Sequence, residues 1–209
     1  MTRAALAAAA AAMVLILSGC GSDGAEKTGS ARALQGQRLC GSTGILGELA
    51  PQIEGRAAGC GLQDGVRVMS VSGITLSTPA VVDCTTAKAL KSWVDTGLRP
   101  AVGRRGGGVA ELKVFASYTC RPRNGIAGAK VSEHGRGKAI DIGGFELRDG
   151  SEITVLEGWN ARREGPMLKS LHEAACGIFG TVLGPKSDRF HANHFHLDTA
   201  SYRSGPYCR

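Results

Sequence analysis

Six cysteines spread along the chain constrain this sequence more than any other feature. They are Cys40, Cys60, Cys84, Cys120, Cys176 and Cys208, and a seventh, Cys20, stands apart near the start. No two form a C-x-x-C pair, which argues against a cysteine zinc knuckle and a thioredoxin-like redox motif. An even set in an exported domain implies disulfides, here up to three. Six cysteines allow 15 pairings, and sequence alone does not choose among them. With 31 glycines in 209 residues, the expectation is one loop-rich globular domain.

Export is read from the first residues. Arg3 gives a short positive start, and an apolar run then extends from Ala4 to Leu17. That is shorter than the roughly 20 residues a helix needs to span a bilayer. Its length and flanks suit a secretory signal peptide. The run ends in Leu17-Ser18-Gly19-Cys20, which resembles the lipobox of bacterial lipoproteins. In that family the cysteine is acylated and becomes the new N-terminus. The resemblance implies a signal peptide over 1–19, lipidation at Cys20 and a membrane anchor in the cell envelope, outside the cytoplasm. An ordinary signal peptide with a chance cysteine is the alternative.

Residues 20–38 are rich in Gly, Ser, Ala and Lys and poor in large apolar side chains, so they read as a flexible tether. The domain is expected over 39–209. The formal charge is +7, to which residues 1–19 contribute only Arg3. A basic exported protein suits an anionic partner such as cell wall or a lipid surface. No compact basic stripe with interleaved aromatics occurs, so nucleic acid is not an expected partner. The chain is expected to be a monomer.

Periodicity gives a coarse plan. Val66 to Leu76 alternates as a strand broken by Gly73. Thr85 to about Gly97 reads as a helix, capped by Thr85 or Thr86, with Pro100 beyond its end. Glu111 to Cys120 reads as a strand. Lys138–Leu147 and Glu152–Leu156 read as a hairpin turning at Asp149-Gly150. A second helix is expected over Pro166–Phe179, burying Met167, Leu168, Leu171, Ala175 and Ile178. A last strand covers about His194 to Asp198. The predicted class is α+β, with a mainly antiparallel central sheet and flanking helices.

Four of the five histidines fall in two clusters, around His134 and over His191–His196. In a strand, His194 and His196 project to one face while Phe195 and Leu197 go to the core. Asp141, between Ile140 and Ile142, must be paired, hydrogen-bonded or metal-bound. His134 lies across a turn marked by Gly135 and Gly137 that can fold it back beside Asp141. Two histidines and a carboxylate make a three-ligand zinc set with an open position for water, whose pKa then falls to about 7. Ser132 and Asp198 are candidates to orient ligand imidazoles. Glu133, next to His134, reads as an exposed loop carboxylate, with support of that histidine as the alternative; His172 and Glu173 read as solvated, and Trp93 and Trp159 as core or cover. Nothing resembles a nucleophile elbow.

Ser132-x-His134-x-x-Gly137-x-Ala139-x-Asp141 resembles the metal motif of the D-alanyl-D-alanine peptidases. His194-x-His196 resembles the second motif of the wider lysostaphin, D-alanyl-D-alanine carboxypeptidase and hedgehog group. Over about 39–209 the chain resembles the bacterial extensin-like C-terminal domain family. The stretches that carry this are Ser117-Tyr-Thr-Cys-Arg121-x-Arg-Asn124-Gly, Ser132-Glu-His134, Ala174-Ala-Cys176 and Val182-Leu-Gly-Pro185. The resemblance implies a hedgehog/D-alanyl-D-alanine peptidase-like fold, with Zn2+ on His134, Asp141 and His196. It also makes His194 a general base or transition-state stabiliser. The pattern His191-x-x-His194-x-His196 is similar to that of the penicillin-insensitive murein endopeptidases, where the extra histidine lines the site. Arg121 falls where related peptidases keep an arginine near substrate; its alternative is a surface salt bridge. The dipeptidases of the group place a glutamate base in Glu-x-x-His. Here Asn193 precedes His-x-His, so the base is His194 or lies elsewhere.

The expected function is therefore a cell-envelope zinc metallopeptidase acting on amide bonds of peptidoglycan peptides, in stem peptides or cross-links. Carboxypeptidase and endopeptidase action both stay open. Rival expectations are a non-catalytic wall-binding lipoprotein that keeps the fold, and a structural lipoprotein whose histidines only staple the sheet.

Overall fold

Several strands of one large sheet show alternating buried and less buried side chains. The computed structural model describes Met1 and residues 36–209, except 56, 58, 202 and 203. Beyond Met1, the expected signal peptide lies outside the described residues, as does the tether with Cys20 as far as residue 35. The strands in chain order are β1 (Gln37–Arg38), β2 (Ile45–Leu49), β3 (Ile53–Glu54), β4 (Gly61–Leu62), β5 (Gly65–Val71) and β6 (Ile74–Asp83). They continue with β7 (Val109–Ala116), β8 (Ala139–Leu147), β9 (Glu152–Thr154), β10 (Thr181–Leu183), β11 (Phe195–Asp198) and β12 (Tyr207–Cys208). The helices are α1 (Cys84–Trp93), α2 (Arg99–Val102), α3 (Val155–Gly158) and α4 (Gly165–Ala175).

Ten strands form the main sheet in the order β1-β2-β5-β6-β7-β8-β11-β10-β12, with β9 also on β8; β3 and β4 pair separately. All neighbours are antiparallel except β6–β7 and β10–β12. The class is α+β. The centre of the sheet is β8, buried along its length except at Glu146, which is half-buried. Trp93, Phe145, Phe179 and Phe195 are among the largest fully buried side chains. Each such ring contributes on the order of 1.5–3 kcal/mol by leaving water.

Several elements differ from the expectation for identifiable reasons. Val66–Leu76 is a hairpin rather than one strand, because Ser72 and Gly73 both take positive φ (49° and 78°) and turn β5 into β6. Asp83, not a threonine, caps α1 by accepting from the Thr86 amide at 2.7 Å. The helical path does not stop before Pro100. It widens into a π-helical segment, Val94–Leu98, and Pro100 enters the first turn of α2, where no amide donor is needed. The strand expected to reach Cys120 ends at Ala116. The helix expected to reach Phe179 ends at Ala175, since Cys176 is extended and Gly177 follows with φ 89°. Ile178 thus lies beyond the helix, while Leu168, Leu171 and Ala175 form its buried face. The Asp149-Gly150 turn between β8 and β9 is present as expected, with Asp149 Oδ1 accepting from the Ser151 amide at 2.9 Å.

The six cysteines form three disulfides, Cys40–Cys84, Cys60–Cys120 and Cys176–Cys208. Three bridges in one domain suggest an extracytoplasmic location.

Candidate metal centre

The register between β8 and β11 sets Asp141 directly opposite His196, with Ile140 opposite Leu197 and Ile142 opposite Phe195. The apolar neighbours go to the core and leave the two polar side chains on the other face. His134 arrives from a four-residue 3-10 turn, Glu133–Arg136. Gly137 closes that turn at φ 66° and sends the chain into β8; a Cβ there would lie 2.7 Å from Leu62. The fold therefore brings residues 134, 141 and 196 together in one buried place.

His134 Nε2 lies 3.1 Å from Asp141 Oδ1 and 3.1 Å from His196 Nδ1, and His196 Nδ1 is 2.9 Å from the same Asp141 oxygen. One ligand atom from each residue falls within 4.8 Å of the others. The outward ring nitrogens are also occupied. His134 Nδ1 donates to the Ser117 carbonyl at 2.8 Å, and His196 Nε2 donates to Asp198 Oδ2 at 3.3 Å. With those hydrogens outside, the inward nitrogens of the neutral rings are lone pairs facing each other and a carboxylate. Three acceptors with no donor between them repel unless a cation or a proton joins them, so the donor set fits a metal ion. Two nitrogens and one oxygen suit a borderline divalent ion such as zinc.

Without a metal ion a proton plays that part, and the inward nitrogens then donate to Asp141. Burial alone would raise the Asp141 pKa, but hydrogen bonds and charge from His134 and His196 hold it well below the usual carboxylate range. Burial likewise opposes a charged His196, yet Asp141 and Asp198 outweigh it and push the metal-free imidazole up to about 9.

His194 stands beside the cluster with Nε2 3.6 Å from Asp141 Oδ2. Its Nδ1 donates to Asn193 Oδ1 at 2.8 Å, which leaves Nε2 as the acceptor. Burial lowers its pKa, with the surrounding imidazoles adding to the effect and Asp141 opposing it. His191 is buried, donates Nδ1–H to Asp188 Oδ1 at 2.8 Å, and lies 5.3 Å from His194 and 5.7 Å from His196 between ring centres. A cleft opens over these groups and is also lined by Arg121, Arg123 and Asn124. Arg121 is half-buried, and its guanidinium has no partner among the described residues.

Two expectations are corrected. Glu133 is buried, not exposed, because the turn tucks it between Arg123 and Arg136, whose guanidinium groups reach Oε1 at 3.4 and 3.3 Å. His172 is half-buried, not solvated. Its ring packs edge-on to Trp159 and Phe195, and Nε2 donates to the Arg209 main-chain oxygen at 2.9 Å. Asp198 bonds the His196 ring, whereas the His134 ring is held by the Ser117 carbonyl rather than by Ser132. The sequence reading missed Ser117 and Asp188. A main-chain carbonyl leaves no mark in a sequence, but an aspartate three residues before His191 is a pattern that could have been weighed.

An α+β domain tied by three disulfides, with a buried His–Asp–His cluster in a cleft, belongs to the class of candidate metal-binding domains. The chain belongs to the extensin-like protein C-terminus family, whose model matches residues 39–209. No curated protein and no solved structure matches it.

Proposed function

We propose that the chain is a zinc-dependent peptidase of the cell envelope that hydrolyses amide bonds in peptidoglycan peptides. On this reading the domain is a member of the lysostaphin, D-alanyl-D-alanine carboxypeptidase and hedgehog group, held to a membrane by a lipid on Cys20. The observation that carries it is the convergence of His134 Nε2, Asp141 Oδ1 and His196 Nδ1, with both imidazoles turned inward as acceptors by outer hydrogen bonds.

A zinc ion bound there would supply Lewis-acid polarisation of a carbonyl and a water with a pKa of about 7. The chain's own residues do the rest. His194 offers Nε2 as acceptor because its Nδ1 hydrogen is committed to Asn193. It takes a proton from the attacking water and delivers it to the leaving amine. Arg121, in the cleft and without a partner among the described residues, binds a peptide carboxylate or steadies the carbonyl oxygen as charge builds on it. Asp188 holds the His191 ring in one tautomer beside His194. Asp198 and the Ser117 carbonyl keep the two ligand imidazoles oriented.

The test is digestion of defined muropeptides by the zinc-loaded protein, read by mass spectrometry. Amide cleavage within the peptides is the expected result, and the fragments identify the bond. Zinc binding without cleavage would replace this reading with that of a wall-binding lipoprotein.

A further inference from the structure

The three candidate ligands are not held in equal ways. Asp141 and His196 face each other across paired strands, so sheet hydrogen bonding fixes both. His134 sits on a short turn outside the sheet, and its place depends on whatever flanks that turn.

β6 holds the end of that turn, the Asp83 amide donating to the Gly137 carbonyl at 2.8 Å, and two further segments, residues 59–62 and 117–121, flank it and are joined by the disulfide Cys60–Cys120. Gly135 packs directly on the bridge: a Cβ there would lie 2.9 Å from Cys60 Sγ and 3.5 Å from Cys120 Cα. The Thr119 amide donates to the His134 carbonyl at 3.3 Å, and the Ser132 amide donates to the Arg121 carbonyl at 3.0 Å. From the other segment, the Gly59 carbonyl accepts from Arg136 Nε at 3.1 Å. The Ser117 carbonyl, which orients the His134 ring, belongs to the bridged pair as well.

We infer that the Cys60–Cys120 disulfide is a positioning element of the metal centre, setting where His134 Nε2 stands relative to Asp141 and His196. This rests on the metal-centre reading above. Joined, the two segments hold the 132–137 turn together. Unjoined, each can drift by itself and take part of the turn's hydrogen bonding with it. Ligand geometry tolerates only about 0.5 Å of such drift before affinity suffers. The bridge also fixes the start of Arg121, the residue after Cys120 and a wall of the cleft. Metal affinity should then depend on this bridge in particular. Cys176–Cys208 makes a fair contrast, because it ties the end of α4 to β12, which β10 separates from β11.

The experiment measures zinc dissociation constants by chelator competition on the full chain. The proteins are wild type, the double variants C60A/C120A and C176A/C208A, and Gly135→Ala, with folding followed by circular dichroism. C60A/C120A is expected to bind zinc about 10–100-fold more weakly, the cost usual for losing support around a ligand. C176A/C208A should melt lower yet bind zinc as wild type does. Gly135→Ala keeps both cysteines but crowds the turn against Cys60 Sγ and Val131, and it should bind zinc more weakly with the fold intact. Wild-type affinity in a folded C60A/C120A overturns the inference. If that variant does not fold, Gly135→Ala decides: weaker binding supports the bridge's role, and unchanged binding overturns it. Absence of zinc binding by the wild type removes the metal-centre reading and this inference together.

Discussion

His134 Nε2 and His196 Nδ1 lie 3.1 Å apart, while the opposite nitrogen of each ring already donates outward, to the Ser117 carbonyl and to Asp198. Two lone pairs at that distance are unfavourable unless something positive lies between them. A proton or a metal ion can fill that place, and which of them does so can be tested one residue at a time.

Removing a ligand and removing the neighbouring base should have different signatures. His134→Ala, Asp141→Ala and His196→Ala should each lose zinc, because two remaining ligands hold it poorly. His194→Ala should keep roughly one zinc per chain, since three ligands remain. Its hydrolysis of muropeptides should fall about 10²–10⁴-fold, the usual cost of a positioned general base. Metal content by elemental mass spectrometry, beside a muropeptide assay, separates the two. Loss of zinc from His194→Ala with retention in His196→Ala would reverse the assignment.

Asp198 offers a finer test, since it bonds the outer nitrogen of the His196 ring. Asp198→Ala frees the imidazole to take the other tautomer, with its hydrogen on Nδ1 where a ligand lone pair is needed. Zinc affinity is expected to drop about 10–100-fold. Asp198→Asn, which keeps an acceptor oxygen, should recover part of that loss in the same chelator titration.

What the sequence made legible was periodic or local. Asp141 and His196 were readable because alternation in a strand states which side chains share a face, and the glycines at 135 and 137 signalled the turn that returns His134. The Asp149-Gly150 hairpin was readable from its turn residues. The cysteine pairing was not, because nothing local selects Cys60 for Cys120 over the other choices. Strands of two or three residues such as β10 and β12 carry no period and were missed. Glu133 was misjudged for a related reason: one of its two cations, Arg123, reaches it from another segment. His172 was misplaced because Trp159 and Phe195, which cover it, come from separate elements.

The bridges give a prediction that needs no metal. Thiol titration of the denatured, unreduced mature protein should find Cys40, Cys60, Cys84, Cys120, Cys176 and Cys208 all oxidised. Removing any one bridge should cost about 2–5 kcal/mol and lower the melting temperature clearly. Two or more free thiols would contradict the framework. Mass spectrometry of the same native material should find a lipid on Cys20; an unmodified N-terminus elsewhere would sink the proposed anchor.

Acid should weaken the fold partly through His172. Burial lowers the pKa of this imidazole from its ordinary 6.5, with nearby Lys186 adding to the effect and the hydrogen bond to the Arg209 oxygen opposing it. Above pH 6.5 the ring is neutral both folded and unfolded, so its packing against Trp159 and Phe195 stabilises fully. As the pH falls below 6.5 the unfolded chain takes up the proton first, and stability declines with pH. The decline levels off once the folded ring also protonates, below its lowered pKa. Denaturant unfolding of the metal-free protein between pH 7.5 and 4.5 should show this slope added to that of the carboxylates. His172→Gln, which has no imidazole to protonate, should be less stable at neutral pH but flatter over that window. An unchanged slope in His172→Gln would mean that the ring titrates alike in both states and that its burial carries no acid sensitivity.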